Sequence, residues 1–254
     1  YKIPNTTNGS DYVNIWPQIE ADLQFAYANL DEEKPNIGRV NKWAAACYLA
    51  KAYMFQKKFT EAKALYDVIL VSGTNSRGEA YDLAPNYHDN FKLTSENNEE
   101  TVFSIQASYG DGSNTNGNYD NALNYPHASG TPGGGCCGFF QPSQSLLNSF
   151  KTNAAGLPDP DGFNATNVTS DEAVLSDAPF TPYAGRLDTR IDWTVGRRGI
   201  PYLDWGIHPG RDWIRQVGFG GPYSPKKNVF YKSEDSATSG SVGWGWNNTS
   251  LNYT

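Results

Sequence analysis

The stretch from Asn41 to Gly73, NKWAAACYLAKAYMFQKKFTEAKALYDVILVSG, constrains the fold more than any other part of the chain. Ala46, Leu49, Ala50 and Tyr53 recur at i, i+3, i+4 and i+7, which lays one apolar stripe along a helix. Asn41 is placed as its N-cap, because its side-chain oxygen can accept from a first-turn N–H that has no carbonyl partner. Gln56-Lys57-Lys58 is a polar turn. A second helix is expected from Thr60, itself a good cap, with Ala62, Leu65, Tyr66 and Ile69 turned inward. Gly73 stands where a helix exit through the left-handed region favours glycine.

Two short helices packed back to back need small residues where the backbones approach and aromatics in the space that remains. Leu49-Ala50, Tyr53, Ala62 and Tyr66 occupy the corresponding places of a tetratricopeptide hairpin, although its signature Trp and Pro are missing and no second copy follows at a fixed period. Upstream, Trp16, Ile19, Leu23, Ala26 and Leu30 alternate by threes and fours, a third amphipathic helix. Pro17 belongs in its first turn or marks a kink. Such a hairpin is a scaffold without chemistry of its own.

After Gly73 the pattern changes. Thr101 to Ala107 alternates like a short strand, and Ser143 to Phe150 reads as a short helix with Leu146, Leu147 and Phe150 inward. The remainder is long, polar and rich in Gly and Asn, notably Gly110 to Gly138, Leu157 to Ser176 and Ser233 to Thr254. The expected architecture is mainly α. Residues 1–73 form a tetratricopeptide-like scaffold, and 74–254 form a loop-rich subdomain with short helices and strands packed on it as one unit.

Composition narrows the partners. A net charge of −7 disfavours nucleic acid, whose phosphates demand clustered Lys and Arg. No apolar run is long enough to cross a bilayer as a helix. Seven Trp, 16 Tyr and 12 Phe make a heavy aromatic load. Sugar rings stack their C–H faces on flat aromatics while Asn, Asp, Gln and Arg bond the hydroxyls, so glycan is the partner that this load suggests. For any single ring, packing is the default.

Other constellations are weaker. Asp159, Asp161 and Asn164 in LPDPDGFN resemble half a calcium loop, but the closing bidentate Glu is absent and a surface turn is favoured. Asp188, Asp192, Asp204 and Asp212 could pair as glycosidase carboxylates, but Arg186, Arg190, Arg197 and Arg198 stand among them, which favours salt bridges. GTPGGGCCG lacks the Lys-Ser/Thr of a phosphate loop. His88, His127 and His208 are too scattered for a zinc site. Cys136 and Cys137 are adjacent: two thiols are the default, while the flanking glycines can accommodate a strained vicinal disulfide. Cys47 reads as a small buried hydrophobe. No catalytic residue, metal ligand or cofactor site is assigned.

The runs YVNIWPQIEADLQFAYANL, GRVNKWAAACYLAKAYMFQKKFTEAKALYDVILVSG and NFKLTSENNEETVFSIQAS, followed by GFFQPSQSLLNSF, RLDTRIDWTVGRRGIPYLDWGIHPG and WIRQVGFGGPYSPKKNVFY, together resemble the SusD/RagB family. These are glycan-binding outer-membrane lipoproteins of Bacteroidetes. The resemblance implies a SusD-like fold and non-catalytic capture of oligosaccharide or polysaccharide at the extracellular face of the outer membrane. It also implies delivery to a TonB-dependent, SusC-like transporter, with membrane attachment through a lipidated N-terminus that this chain lacks. Family members are longer, so the chain reads as an internal piece of a larger protein, and further helices would cover part of the hairpin's apolar face. The alternative function is a glycoside hydrolase using carboxylates such as Asp192 and Asp204.

Trp193 and Trp205 lie in the shared pattern and are expected to hold loops together. The glycan platform is therefore expected in the loop from Tyr109 to Phe140. Tyr109, Tyr119 and Tyr125 would stack on sugar, and Asn118 and Asp120 would bond hydroxyls. Trp244 and Trp246, alternating among glycines, are the second candidate surface.

Overall fold

The computed structural model describes residues 14–106, 126–127, 131, 138–227, 229, 231–234 and 251–253. The chain divides into two compact units, Tyr1–Ala84 with Asn97–Ile105 and Asn252–Thr254, and Pro85–Glu96 with Gln106–Leu251.

In the first unit, α1 (Trp16–Asn29), α2 (Lys42–Phe55) and α3 (Phe59–Ser72) pack in sequence, each 14 residues long. Pro17 sits in the first turn of α1, where its missing N–H costs nothing. The expected stripe of α1 is its half-buried side, while Phe25 outside it is exposed. Trp43, Ala46, Ala50 and Ile69 form the core, with Tyr27, Cys47, Leu65 and Tyr81 packed around them. Alanines on α2 let its neighbours approach, and the bulk comes from Trp43 and from the flanking rings. Burial pushes the Cys47 thiol up to about 11.

Asn41 caps α2 as its residue type suggests. Its Oδ1 accepts from the Ala44 N–H at 2.8 Å, and its Nδ2 donates to the Glu32 and Thr74 carbonyls, both at 2.8 Å. Glu20 of α1 accepts from Gln56 at 2.6 Å and from Lys58 at 2.5 Å, fastening α1 to the α2–α3 turn.

Three local expectations fail in this region. Thr60 is not the cap of α3, which begins at Phe59 after Lys58. Lys57 adopts a left-handed φ of 59° and the Lys58 N–H returns to the Tyr53 carbonyl at 2.9 Å, so the chain reverses before Thr60 is reached. Gly73 leaves α3 with φ −69° and ψ 140°, not left-handed. Its glycine is demanded by space, since a Cβ would stand 2.5 Å from the Ile69 carbonyl oxygen and 2.7 Å from the Tyr81 ring. Tyr66 is partly exposed, and Leu65 takes the inward place. Phe55, Phe59, Leu70 and Val71 are also exposed on the hairpin.

The expected strand is present as β1 (Phe103–Ile105), paired with β4 (Leu251–Tyr253) in a two-stranded sheet. In the second unit, α4 (Gln144–Ser149) is capped by Ser143, whose Oγ accepts from the Leu146 N–H at 3.1 Å. Leu147 is fully buried and Phe150 packs with it, but Leu146 is exposed, because Leu147 and Asn148 take the inward positions of this short helix. Leu147 joins Val168, Ile191, Val195 and Tyr223 in the main core of this unit.

The polar loops are ordered by side-chain bonds. Buried Asn148 donates to Asn164 and Asn167, both at 2.9 Å, and accepts from the Val168 N–H at 2.9 Å. That one residue ties the 157–176 excursion to α4. Further on, α5 (Ile191–Thr194) runs into β2 (Val195–Gly196), which pairs antiparallel with β3 (Ser224–Pro225). Tyr202 and His208 are fully buried beneath β3, and the Tyr202 hydroxyl donates to the Pro225 carbonyl. His208 accepts at Nδ1 from the Gly210 N–H and meets the Ser224 hydroxyl at Nε2, both at 3.0 Å. An Nε2–H tautomer, donating to Ser224, satisfies both contacts.

Candidate functional site

A groove of about 570 Å³ opens beside α6 (Val217–Gly220), against the segment Gly138–Ser143. Three phenylalanines border it, Phe139 at 49%, Phe140 at 74% and Phe219 at 90% exposure. Three water-facing rings around one opening form a patch of the kind that marks a binding surface. The local backbone explains why they face outward. Phe140 adopts φ 57°, a strained value for a residue with a Cβ, and this turn takes its ring away from the core. Phe219 lies in the four-residue helix VGFG, where its immediate neighbours on both sides are glycines that offer no side chain to pack against.

Polar groups complete the groove. Gln141 donates through Nε2 to the Gly221 and Tyr223 carbonyls at 3.4 and 3.3 Å, which fixes its amide. Its Oε1 lies so close over Gly220 that a Cβ there would stand 1.6 Å away. Gln216 and Ser143 also line the opening, and the Arg215 guanidinium sits 5.9 Å from the Phe139 ring centroid. Stacking faces beside the fixed Gln141 amide, the Gln216 amide and a guanidinium can hold a ring that carries C–H faces and hydroxyls.

The expected platform residues Tyr109, Asn118, Tyr119, Asp120, Tyr125, Trp244 and Trp246 lie outside the described residues, as do Cys136 and Cys137. Phe139 and Phe140 end the same loop, and sequence reasoning misses them because GFFQPSQ reads as shared scaffold. A signal is nevertheless present in the sequence: two adjacent aromatics behind a run of glycines have few apolar neighbours to bury against.

The aromatics of the shared pattern do hold loops together. Trp193 stacks on buried His88 with centroids 4.8 Å apart. Trp205 and Trp213 pack on the buried Tyr202–Val229 pair. Lys226, almost fully buried, lies 5.5 Å from the Trp193 ring and 5.9 Å from Tyr202, and donates to the Pro201 carbonyl at 2.7 Å.

The carboxylates suggested for hydrolysis are engaged elsewhere. Asp188 pairs with Arg190 at 2.5 Å and Asp192 with Arg197 at 2.6 Å, the salt bridges expected of this region. Asp204 accepts from the Lys232 and Ser233 N–H groups at 2.5 and 2.9 Å, and Asp212 accepts from the Ser176 hydroxyl. The Arg190 side chain holds Asp188 below the usual carboxylate range. Burial pushes Asp204 upward, but the Ser233 and Lys232 N–H groups outweigh it and leave it lowered. A glycosidase acid requires the opposite shift. Asp171 is raised by burial, but it is 1% exposed and closed to substrate.

A second, smaller cleft of about 360 Å³ is bordered by Tyr87, Phe150, Lys151 and the Asp188–Arg190 pair. At the calcium-like loop, Asp159 Oδ1 accepts from the Gly162 N–H at 2.9 Å, an ordinary turn closure. Asn164 is spent on Ser145 and Asn148. Among the described residues no group of His, Cys, Asp and Glu is clustered for a metal. No helix among them is long and apolar enough to cross a membrane.

The SusD family model matches residues 99–251 of the chain. No curated protein matches it. Among solved structures, a SusD-like protein from Bacteroides fragilis superposes with a TM-score of 0.53 at 18% identity, over 85% of this chain and 43% of its own. A protein described as a laminarin-binding SusD-like protein gives 0.50 at 16% identity, over 94% of this chain and 47% of its own. A SusD superfamily protein from Bacteroides vulgatus gives 0.49 at 19% identity, over 86% of this chain and 38% of its own. The chain thus spans less than half of each of these structures. The first two likenesses establish a shared, mainly helical fold.

Proposed function

Because this chain belongs to the SusD family, we propose that it binds oligosaccharide or polysaccharide without cleaving it, at the outer face of the outer membrane, for delivery to a TonB-dependent, SusC-like transporter. The observation that carries this reading is the groove of exposed Phe139, Phe140 and Phe219 beside Gln141, Gln216 and Arg215. Sugar rings stack on the phenyl faces, and the amides and guanidinium orient their hydroxyls. Tyr109, Tyr119 and Tyr125, with Asn118 and Asp120, extend the platform along the loop that ends at Phe140, and Trp244 and Trp246 offer a further face. The engagement of Asp188, Asp192, Asp204 and Asp212 supports binding over hydrolysis.

The test is retention on native affinity gels cast with a panel of polysaccharides, laminarin included, together with an assay for new reducing ends. Retention without new ends is expected. Phe139→Ala and Phe219→Ala should each weaken retention about fivefold, from ~1 kcal/mol per stacked ring, with thermal stability unchanged. New reducing ends would refute the non-catalytic reading. If the phenylalanine variants bind like the parent while Tyr119→Ala and Tyr125→Ala do not, the platform lies in the loop alone.

A further inference from the structure

We infer that the phenylalanine groove selects acidic glycans, whose sugars carry a carboxylate or sulfate, through Arg215. The inference rests on the glycan-binding reading above and narrows its ligand class. Arg215 is exposed at the groove with its guanidinium against the Phe139 ring, 5.9 Å from the centroid. Arg77, Arg190 and Arg197 are each paired with a carboxylate, at 2.8, 2.5 and 2.6 Å. Among the described residues no carboxylate lies within salt-bridge distance of Arg215, and none of the side chains lining the groove is acidic.

The hydrogen-bonding inventory points the same way. Gln141 spends its amide N–H groups on the Gly221 and Tyr223 carbonyls, and Ser143 Oγ already accepts from the Leu146 N–H. What faces a ligand is the Gln216 amide and the guanidinium, the one charged group of the lining, which carries five donors and no acceptor. Hydroxyls of a neutral sugar donate as well as accept, and there is no carboxylate here to receive their protons. A carboxylate or sulfate only accepts, and it matches the planar fork of a guanidinium bidentately. The contact with the Phe139 ring restrains the Arg215 side chain, so less freedom is lost when the anion docks. The sugar's C–H face then has Phe140 and Phe219 available alongside. The chain as a whole is acidic, at −7, and repels polyanions in general, so retention of an acidic polymer reports this local site and not diffuse ion exchange.

The test uses the full chain, with titration calorimetry at about 0.15 M salt, where long-range attraction between exposed charges is largely screened. The probes are polygalacturonate against its carboxyl-reduced form, and dextran sulfate against dextran. The parent should bind at least one acidic probe about fivefold more tightly than its neutral counterpart, the scale of a partly exposed ion pair. Arg215→Met should erase that preference, lowering affinity for the acidic probe about fivefold more than for its neutral counterpart. Arg215→Lys should retain part of it, since charge remains and the fork is lost. Preference confined to the uronate pair assigns a carboxylate as the anion, and preference confined to the sulfated pair assigns a sulfate. Equal affinity within both pairs, or an undiminished preference in Arg215→Met, overturns the inference and leaves glycan binding standing. Failure of every probe, neutral or acidic, together with the whole neutral panel, overturns the glycan-binding reading itself.

Discussion

Replacing Asn41 with alanine should damage the helical unit far more than a surface Asn-to-Ala change would. Asn41 is 1% exposed and makes three bonds of 2.8 Å, one to the first turn of α2 and two to carbonyls of separate segments, at Glu32 and Thr74. Loss of an Asn cap costs about 1 kcal/mol. Each carbonyl left without its donor in a part-buried site costs about 1 kcal/mol more, so the total is about 3 kcal/mol. Because the three bonds join α2, the segment before it and the exit of α3, the loss should be felt by all three. Hydrogen exchange read by mass spectrometry on the full chain resolves this. Amides of α2 and α3 should exchange about a hundredfold faster in Asn41→Ala, the equivalent of that free energy. Asn41→Ser separates the contributions: its hydroxyl restores the cap but cannot reach both carbonyls, and it should recover about 1 kcal/mol. Protection in Asn41→Ala within about threefold of the parent, or full recovery in Asn41→Ser, would refute the reasoning.

Gly73→Ala should lower stability by about 1–3 kcal/mol, because its methyl would overlap the Ile69 carbonyl and the Tyr81 ring, although φ there is ordinary. A thermal midpoint unchanged from the parent would contradict this. Burial, with nearby Lys92 and Lys226, lowers the His88 pKa to about 4, and burial with Lys226 lowers that of His208 to about 3. Between about pH 6.5, where histidines of the unfolded chain titrate, and those values, the unfolded chain binds protons that the folded chain refuses. Stability should therefore fall as the pH is lowered from about 6.5 towards 4, before most carboxylates protonate, and His88→Gln should flatten the slope of the urea midpoint. At the alkaline end, burial lowers Lys226 to about 8, so stability should rise as pH increases from there towards about 10.5. A midpoint flat across both windows would show that these groups are not buried as described.

Periodicity determined the three helices and the half-buried stripe of α1, and residue type the Asn41 cap, because these depend on residues within a turn or two of one another; on α3 it placed Ala62, Leu65 and Ile69 but not Tyr66. It also exposed the short strand and α4, whereas the packing role of Trp193 and Trp205 was implied by the family resemblance and not by periodicity. The roles of individual glycines and caps were decided by tertiary structure. Gly73 is required by the Tyr81 ring, which arrives from beyond the helix, and Thr60 lost its cap to a reversal at Lys57. The loop-rich unit shows the same division on a larger scale. Its polar residues were legible as loops, but which bonds hold them depended on long-range partners, such as Asn148 with Asn164 and Asn167, or Asp204 with the N–H groups of Lys232 and Ser233. The groove follows the same rule. Phe139-Phe140 and Phe219 are nearly 80 residues apart, and no local pattern reports that a left-handed Phe140 and a four-residue helix bring their rings to one opening. Chain-local forces are written in order along the sequence, whereas the meeting of distant loops is settled by packing that only the folded molecule contains.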